Sequence, residues 1–198
     1  MALKEEIIKL LESTEKMGIN NLIGHMELNG FFEAPSSGAY HLCEEGGLAK
    51  HSMNVYEAAK KVKDAIGADV SDQSIIICAL LHDLGKMGDH GKQNYVPNMV
   101  RSKTKNKETG EYDMVQSSTK PYETNKGLLY IDHEIRSVAI AERFIDLTEE
   151  EEFAILYHNG MYGQLKYSYS GKETPLSMIV HFADMWASRA MEAEQEES

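Results

Sequence analysis
The segment Ser71 to Lys86 limits the fold more than any other. Seven apolar residues, Ile75-Ile76-Ile77-Cys78-Ala79-Leu80-Leu81, run without interruption into His82-Asp83. The Ser71 hydroxyl can accept from an orphan N–H of a first turn, so the spacing predicts a helix over Asp72 to about Lys86. A helix that is apolar nearly all round has to lie at the centre of its domain, covered on every side. Other helices must therefore surround it. The run is far too short to span a bilayer, so no membrane partner is expected.

The surrounding helices are readable. Leu3, Ile7, Leu10, Leu11 and Thr14 share one stripe over Leu3 to Met17; Gly18 interrupts, and a short helix follows over about Ile19 to Leu28. Phe31 to Glu45 has no period, and Pro35-Ser36-Ser37-Gly38 marks it as a loop. Gly46-Gly47 open a long helix through about Ile66, with Leu48, His51, Val55, Ala58, Ala59 and Val62 at helical spacing. Another helix is expected from about Asp132 to Asp146. Thr148 with Glu151 is a capping-box pair for the next, which ends near His158-Asn159-Gly160. The last starts with Thr174 as N-cap and Pro175 at the first position, and runs to about Ala193 before an acidic tail that should fray.

Between Lys92 and Lys126 the helical period is lost. Arg101, Lys103, Lys105 and Lys107 alternate with polar residues, Glu108 to Glu111 offer a turn, and Tyr112 to Ser118 return as a second strand. This predicts a β-hairpin with four basic side chains on one face. The fold expected is a single all-α domain over residues 1–198, a helical bundle with its core at about 19–190 and one small hairpin inserted at about 92–126.

Charge and cysteine content narrow the function. The formal net charge is -12, which argues against stable binding of duplex nucleic acid. Yet the stretch from Lys86 to Lys126 holds eight Lys and Arg against five Asp and Glu, so one basic segment sits on an acidic body. Cys43 and Cys78 form no CxxC pair, which rules out a thiolate zinc site and reads as two reduced thiols. The N-terminus lacks the basic-then-apolar order of a signal peptide, and a cytoplasmic protein is expected.

Several histidines and aspartates lie where such residues are costly. His51 falls on the apolar stripe of its helix, and His82 and Asp83 end the most apolar one. His158 closes Phe153-Ala154-Ile155-Leu156-Tyr157, and Asp184 follows Met178-Ile179-Val180-His181-Phe182-Ala183. A carboxylate in such a setting is expensive unless it is paired or holds a cation. Neither Asp83 nor Asp184 has an adjacent Lys or Arg, and imidazole with carboxylate suits a divalent metal.

The order His51, Leu80-Leu81-His82-Asp83-Leu84-Gly85-Lys86, Asp184 resembles the H…HD…D signature of HD-domain phosphohydrolases. Phe31-Phe32-Glu33-Ala34-Pro35-Ser36-Ser37, Tyr40-His41, Gly46-Gly47-Leu48 and His51-Ser52-Met53-Asn54-Val55-Tyr56 are similar to a bacterial and phage subgroup, and to the HD domain of a bacterial 3′-5′ exoribonuclease. The resemblance covers roughly residues 19 to 190. It implies that His51, His82, Asp83 and Asp184 hold one metal. His133 and His158 resemble the extra histidines of members with two metals, with Asp83 as the bridge. One departure is that such members carry His-His where this chain has His158-Asn159.

The expected cofactor is therefore a pair of divalent ions, drawn from Mn, Fe, Co, Ni or Mg. The expected reaction is hydrolysis of a phosphoester or phosphoanhydride, in a nucleotide or short single-stranded nucleic acid, by a metal-activated hydroxide. Asp83, Lys86 and Arg136 are the catalytic candidates. Lys86 and Arg136, each three residues after a ligand candidate, are expected to meet phosphoryl oxygens. His41 and His181 are further substrate-binding candidates, and Arg189 a weaker one. The basic hairpin face, which follows Asp83 in sequence, could guide a polyphosphate or oligonucleotide inward. Two other classes fit the same residues: a non-catalytic nucleotide-binding HD module and a di-iron HD-type oxygenase.

Overall fold
The computed structural model describes residues 2–193. The fraying expected of the acidic tail after Ala193 falls outside the described residues. The helices are α1 (Ala2–Glu12), α2 (Ile19–Leu28), α3 (Gly47–Ile66), α4 (Asp72–Leu81), α5 (His133–Ala141), α6 (Glu149–Leu156), α7 (Lys166–Tyr169) and α8 (Pro175–Trp186).

Helix α4 is the axis. The Ser74 N–H donates to Ser71 Oγ at 2.9 Å, which closes its N-terminus. Every residue from Ile75 to Leu81 is buried, and α1, α3, α6 and α8 pack around it. One contiguous cluster runs from Ile7 and Leu11 through Leu48, Ile77 and Leu80 to Val180 and Ala187. The side-chain caps expected for α6 and α8 are both present as capping boxes, at Thr148 with Glu151 and at Thr174 with Ser177.

The central helix does not continue to Lys86. It ends at Leu81, Asp83 leaves helical geometry at φ -102° and ψ 13°, and a 3₁₀ turn follows over Leu84–Met87. The Gly85 N–H donates to the Ser137 hydroxyl on α5 at 2.8 Å, outside the α ladder, while the Lys86 N–H donates to the Asp83 carbonyl. Helix α1 stops before Met17 because the Ser13 and Thr14 hydroxyls turn back onto the carbonyls of Leu10 and Leu11. Helix α5 ends at Ala141, and α8 passes after Trp186 into a π turn over Ala187–Met191.

The insertion corrects the all-α expectation. In place of one hairpin there are six short strands in three antiparallel pairs: β1 (Gly88–Asp89) with β2 (Lys92–Gln93), β3 (Tyr95–Pro97) with β6 (Tyr122–Thr124), and β4 (Met99–Lys105) with β5 (Tyr112–Gln116). His90 and Gly91, both at positive φ, make the tight turn between β1 and β2. The β3–β6 and β4–β5 pairs continue one another. At their junction the Asn98 N–H donates to the Pro121 carbonyl at 2.9 Å, and the Ser117 N–H donates to the Asn98 carbonyl at 2.8 Å. The register slips between Arg101 and Lys105, and Lys107 lies in the turn beyond β4, so the four cations do not share one regular face. Arg101 and Lys105 do, opposite Met114 and Tyr112.

Gly85 is the point where the broken end of α4 meets α5. A Cβ there would lie 2.4 Å from the His133 carbonyl oxygen and 3.0 Å from the Ser137 nitrogen. Gly85→Ala should therefore destabilise the fold by about 1–3 kcal/mol through overpacking. Urea denaturation followed by far-UV circular dichroism checks this; an unchanged midpoint would mean that α5 moves aside at no cost.

Candidate metal centre
Five separate parts of the chain deliver polar side chains to one buried point. His51 comes from the middle of α3, His82 and Asp83 from the broken end of α4, and His133 is the first residue of α5. His158 follows the end of α6, and Asp184 projects from α8. Asp83 is 1% exposed, and its two oxygens face different neighbours. Oδ1 lies 3.2 Å from His133 Nε2 and 3.5 Å from His158 Nε2. Oδ2 lies 3.5 Å from His51 Nε2, 3.4 Å from His82 Nε2 and 2.6 Å from the Lys86 ammonium. Asp184 joins the second group, with Oδ1 3.1 Å from His51 Nε2 and 4.0 Å from His82 Nε2.

The rings are oriented from behind. His82 Nδ1 donates to the Ala79 carbonyl and His158 Nδ1 to the Ile155 carbonyl, each at 2.8 Å. A carbonyl can only accept, so a hydrogen sits on each of these Nδ1 atoms, and Nε2 is the nitrogen left to face the centre. His51 Nδ1 lies 2.9 Å from a Glu192 carboxylate oxygen, and His133 Nδ1 lies 3.3 Å from Glu134. All four histidines thus present Nε2 to the same point. The Nε2 atoms of His51 and His82 are 3.3 Å apart, and those of His133 and His158 are 3.4 Å apart.

This arrangement fits divalent cations. Two carboxylates and four converging imidazole nitrogens form the mixed N/O donor set that divalent transition metals take. Neither Asp83 oxygen accepts a well-directed hydrogen bond, Lys86 and the rings being close charges rather than aligned donors. Among the described residues three triads have ligand atoms close enough together to share an ion: His51, His82 and Asp184; His82, Asp83 and His158; and, on the outer side of His51, His41, His51 and Glu192. For His51, His82 and His158 the Nδ1 partner is the hydrogen-bond acceptor that ligating imidazoles characteristically have, and the Glu134 carboxylate lies near that of His133.

The electrostatics agree. Burial opposes ionisation of Asp83, but Lys86 and His82 outweigh it and hold the carboxyl well below the usual range. Asp184 is likewise held down against its burial, by His51. Burial would lower His51, yet Asp184 and Glu192 raise it to about 9. For His158 burial and then His82 outweigh the raising effect of Asp83 and Asp184 and push it down to about 3, so it stays a neutral donor.

The remaining candidates divide. Lys86 stands at the centre, its ammonium against Asp83. His41 lies beside it: its ring centroid is 4.9 Å from that of His51, and it lines a cleft of about 480 Å³ with Tyr40, Ser188 and Arg189. Arg136 is placed otherwise than expected. It is buried, donates to the Leu129 carbonyl at 2.8 Å and approaches Asp89, whose carboxylate Arg143 grips with two hydrogen bonds. Its guanidinium thus braces the segment before α5. His181 also serves structure, since its Nδ1 donates to the His158 carbonyl at 2.8 Å and its ring packs against Gly160.

Glu192 escapes a sequence reading. It is eight residues after Asp184, which on a regular helix turns it about 80° away. The wider π turn over Ala187–Met191 advances less per residue and returns Glu192 towards α3. There it meets His51, and the Asn54 amide donates to it at 3.0 Å. Asn159 stands where the resembled proteins carry a second histidine, its amide 3.1 Å from His158 Nε2 and held by Glu134.

A histidine-rich centre closed around an HD pair on a helical scaffold defines a class of metal-dependent hydrolytic domains. The HD domain family matches residues 48–187, and the chain belongs to that family. HD domains bind divalent metals and are typically metal-dependent phosphohydrolases. No curated protein and no solved structure matches this chain. Among the described residues no helix is long and apolar enough to cross a membrane.

Because Glu192 orients a ligand ring, Glu192→Ala should weaken Mn²⁺ binding roughly 10–100-fold, and Glu192→Gln less. Isothermal titration of the metal-free protein checks this. Equal affinity in all three proteins would show that the ring is held without the carboxylate.

Proposed function
We propose that this chain hydrolyses a phosphoester or phosphoanhydride bond in a nucleotide or short oligonucleotide, with two divalent metal ions (Mn, Fe, Co, Ni or Mg) shared across Asp83. The observation that carries this reading is the division of labour at Asp83, each oxygen facing its own pair of imidazoles. Asp83 with His51, His82 and Asp184 would hold one ion, and Asp83 with His133 and His158 a second. When bound, the metal pair supplies a hydroxide nucleophile at neutral pH and charge for the phosphoryl oxygens.

The chain's own residues do the rest. Asp83 and Asp184 would contribute the anionic ligands, and His51, His82, His133 and His158 imidazole nitrogens, His51 giving up the proton that Asp184 and Glu192 favour on it. Lys86 brings a cation largely out of water to the rim of a pocket of about 240 Å³, lined also by Glu33, Glu45, Tyr95 and Tyr122. Its ammonium is the group best placed to meet developing negative charge on a phosphoryl oxygen. On the other side His41 and Arg189 edge the larger cleft, where a nucleotide's remaining phosphates would find them. Cys43 and Cys78 are free thiols, in keeping with a cytoplasmic setting.

The decisive measurements are metal content and turnover of bis-p-nitrophenyl phosphate and a nucleotide panel with Mn, Co, Ni and Mg. The expected stoichiometry is two ions per chain. Asp83→Ala should lose both metal and turnover, and substantial activity in it would sink the assignment. Lys86→Ala should keep its metal while kcat falls roughly 10²–10³-fold, as for a lost transition-state donor. Bound metal with no phosphate release from any substrate would point to a binding module or an oxidative enzyme instead.

A further inference from the structure
The inserted ribbon leaves much of itself uncovered. A two-stranded ribbon is at best marginally stable alone in water, and this one exposes Met99, Val100, Tyr112, Met114 and Val115 along β4 and β5. Its cations are arranged around an aromatic ring. The Arg101 guanidinium lies 3.9 Å from the centroid of Tyr112, and the Lys105 ammonium lies 5.7 Å from the same ring. Lys103 stands between them in the sequence, within the segment where the register slips. The chain as a whole is at -12, so this basic, partly apolar surface contrasts with the body that carries it.

The ribbon's root touches the centre. Tyr95 of β3 and Tyr122 of β6 line the same pocket as Lys86, and the Asn98 junction carries the pairing on from there into β4 and β5. Residues 95–105 at about 3.3 Å each give a contour of roughly 35 Å leading away from Lys86.

We propose that this ribbon is a track for a single-stranded polynucleotide, which it delivers towards Lys86 and Asp83. The delivery rests on the phosphohydrolase reading above; the binding does not. A single strand alternates phosphates with unpaired bases, and the ribbon offers the matching chemistry. Arg101, Lys103 and Lys105 meet phosphates, while Tyr112 and the guanidinium plane on it accept a stacked base. A duplex hides its base faces and would bring many more phosphates against the acidic body. An acidic peptide would pair with the cations yet find no use for the stacking platform.

The test uses the full chain, with metal removed by chelator so that nothing is cleaved, and a fluorescein-labelled twelve-nucleotide single strand followed by anisotropy. Two variants are compared with the unaltered chain, the triple Arg101→Ala, Lys105→Ala, Tyr112→Ala and the charge reversal Arg101→Glu, Lys105→Glu. Each should bind at least tenfold more weakly. The triple should also flatten the dependence of log affinity on log salt by about 1.4, the share of two phosphate contacts on a single strand. With metal restored, both should turn over bis-p-nitrophenyl phosphate like the unaltered chain. Equal binding by variants and unaltered chain, no binding at 50 mM salt, or equal affinity for the corresponding duplex would overturn the proposal. So would a parallel loss of small-substrate turnover, because the ribbon would then be supporting the centre. A strand that binds through the ribbon while no phosphoester is cleaved would defeat the catalytic reading and leave this one standing.

Discussion
A carboxylate without aligned hydrogen-bond donors, closed inside a helical core, is a severe demand on a fold. Asp83 makes that demand here, and much of the architecture answers it. The apolar helix before it carries the chain into the centre of the molecule. The helix then stops, and Asp83 sits at the break, at φ -102° and ψ 13°. The Gly85–Ser137 hydrogen bond and the close approach of α5 at Gly85 enforce that stop. They also fix His133, the first residue of α5. Helices α3, α6 and α8 then bring His51, His158 and Asp184 around the same carboxylate. The core and the centre are thus one construction, since the residues that bury Leu80 and Leu81 also hold the ligands in register.

Much of this was legible in the sequence, for identifiable reasons. Ser71, Thr148 and Thr174 announce helix starts through hydroxyls that have only a few uses, and each caps as read. His51, His82, Asp83, His158 and Asp184 stood out as ionisable groups in apolar surroundings, and His133 only through the likeness to two-metal family members; the fold brings all six together. What was illegible depends on contacts distant in sequence. Nothing in Leu80 to Lys86 says that Ser137 will take the Gly85 N–H. Arg136 shares a helical face with His133, and only the position of Asp89 and the Leu129 carbonyl turns it into a brace. Strands β3 and β6 are three residues each and twenty-four apart, too short for a period to show.

The two parts of the molecule follow opposite rules. Around Asp83, polar groups are tightly enclosed and each orienting nitrogen has a designated acceptor. On the ribbon, apolar and cationic groups stand in solvent with little against them. A centre that must hold geometry to a fraction of an ångström and a surface that meets a variable chain have different requirements. Placing the second as an insertion between Asp83 and His133 lets it vary without repacking the helices.

The π turn ties the far end of the chain to the middle of α3. Through Glu192, this turn and the orientation of His51 become one equilibrium. By reciprocity, any cation that favours the held ring stabilises that turn by the same free energy, and any loosening of the turn reduces affinity equally. The C-terminal end thereby acts as a thermodynamic gauge of the centre. Amide exchange at Met191 and Glu192 would report on loading through the backbone of that turn.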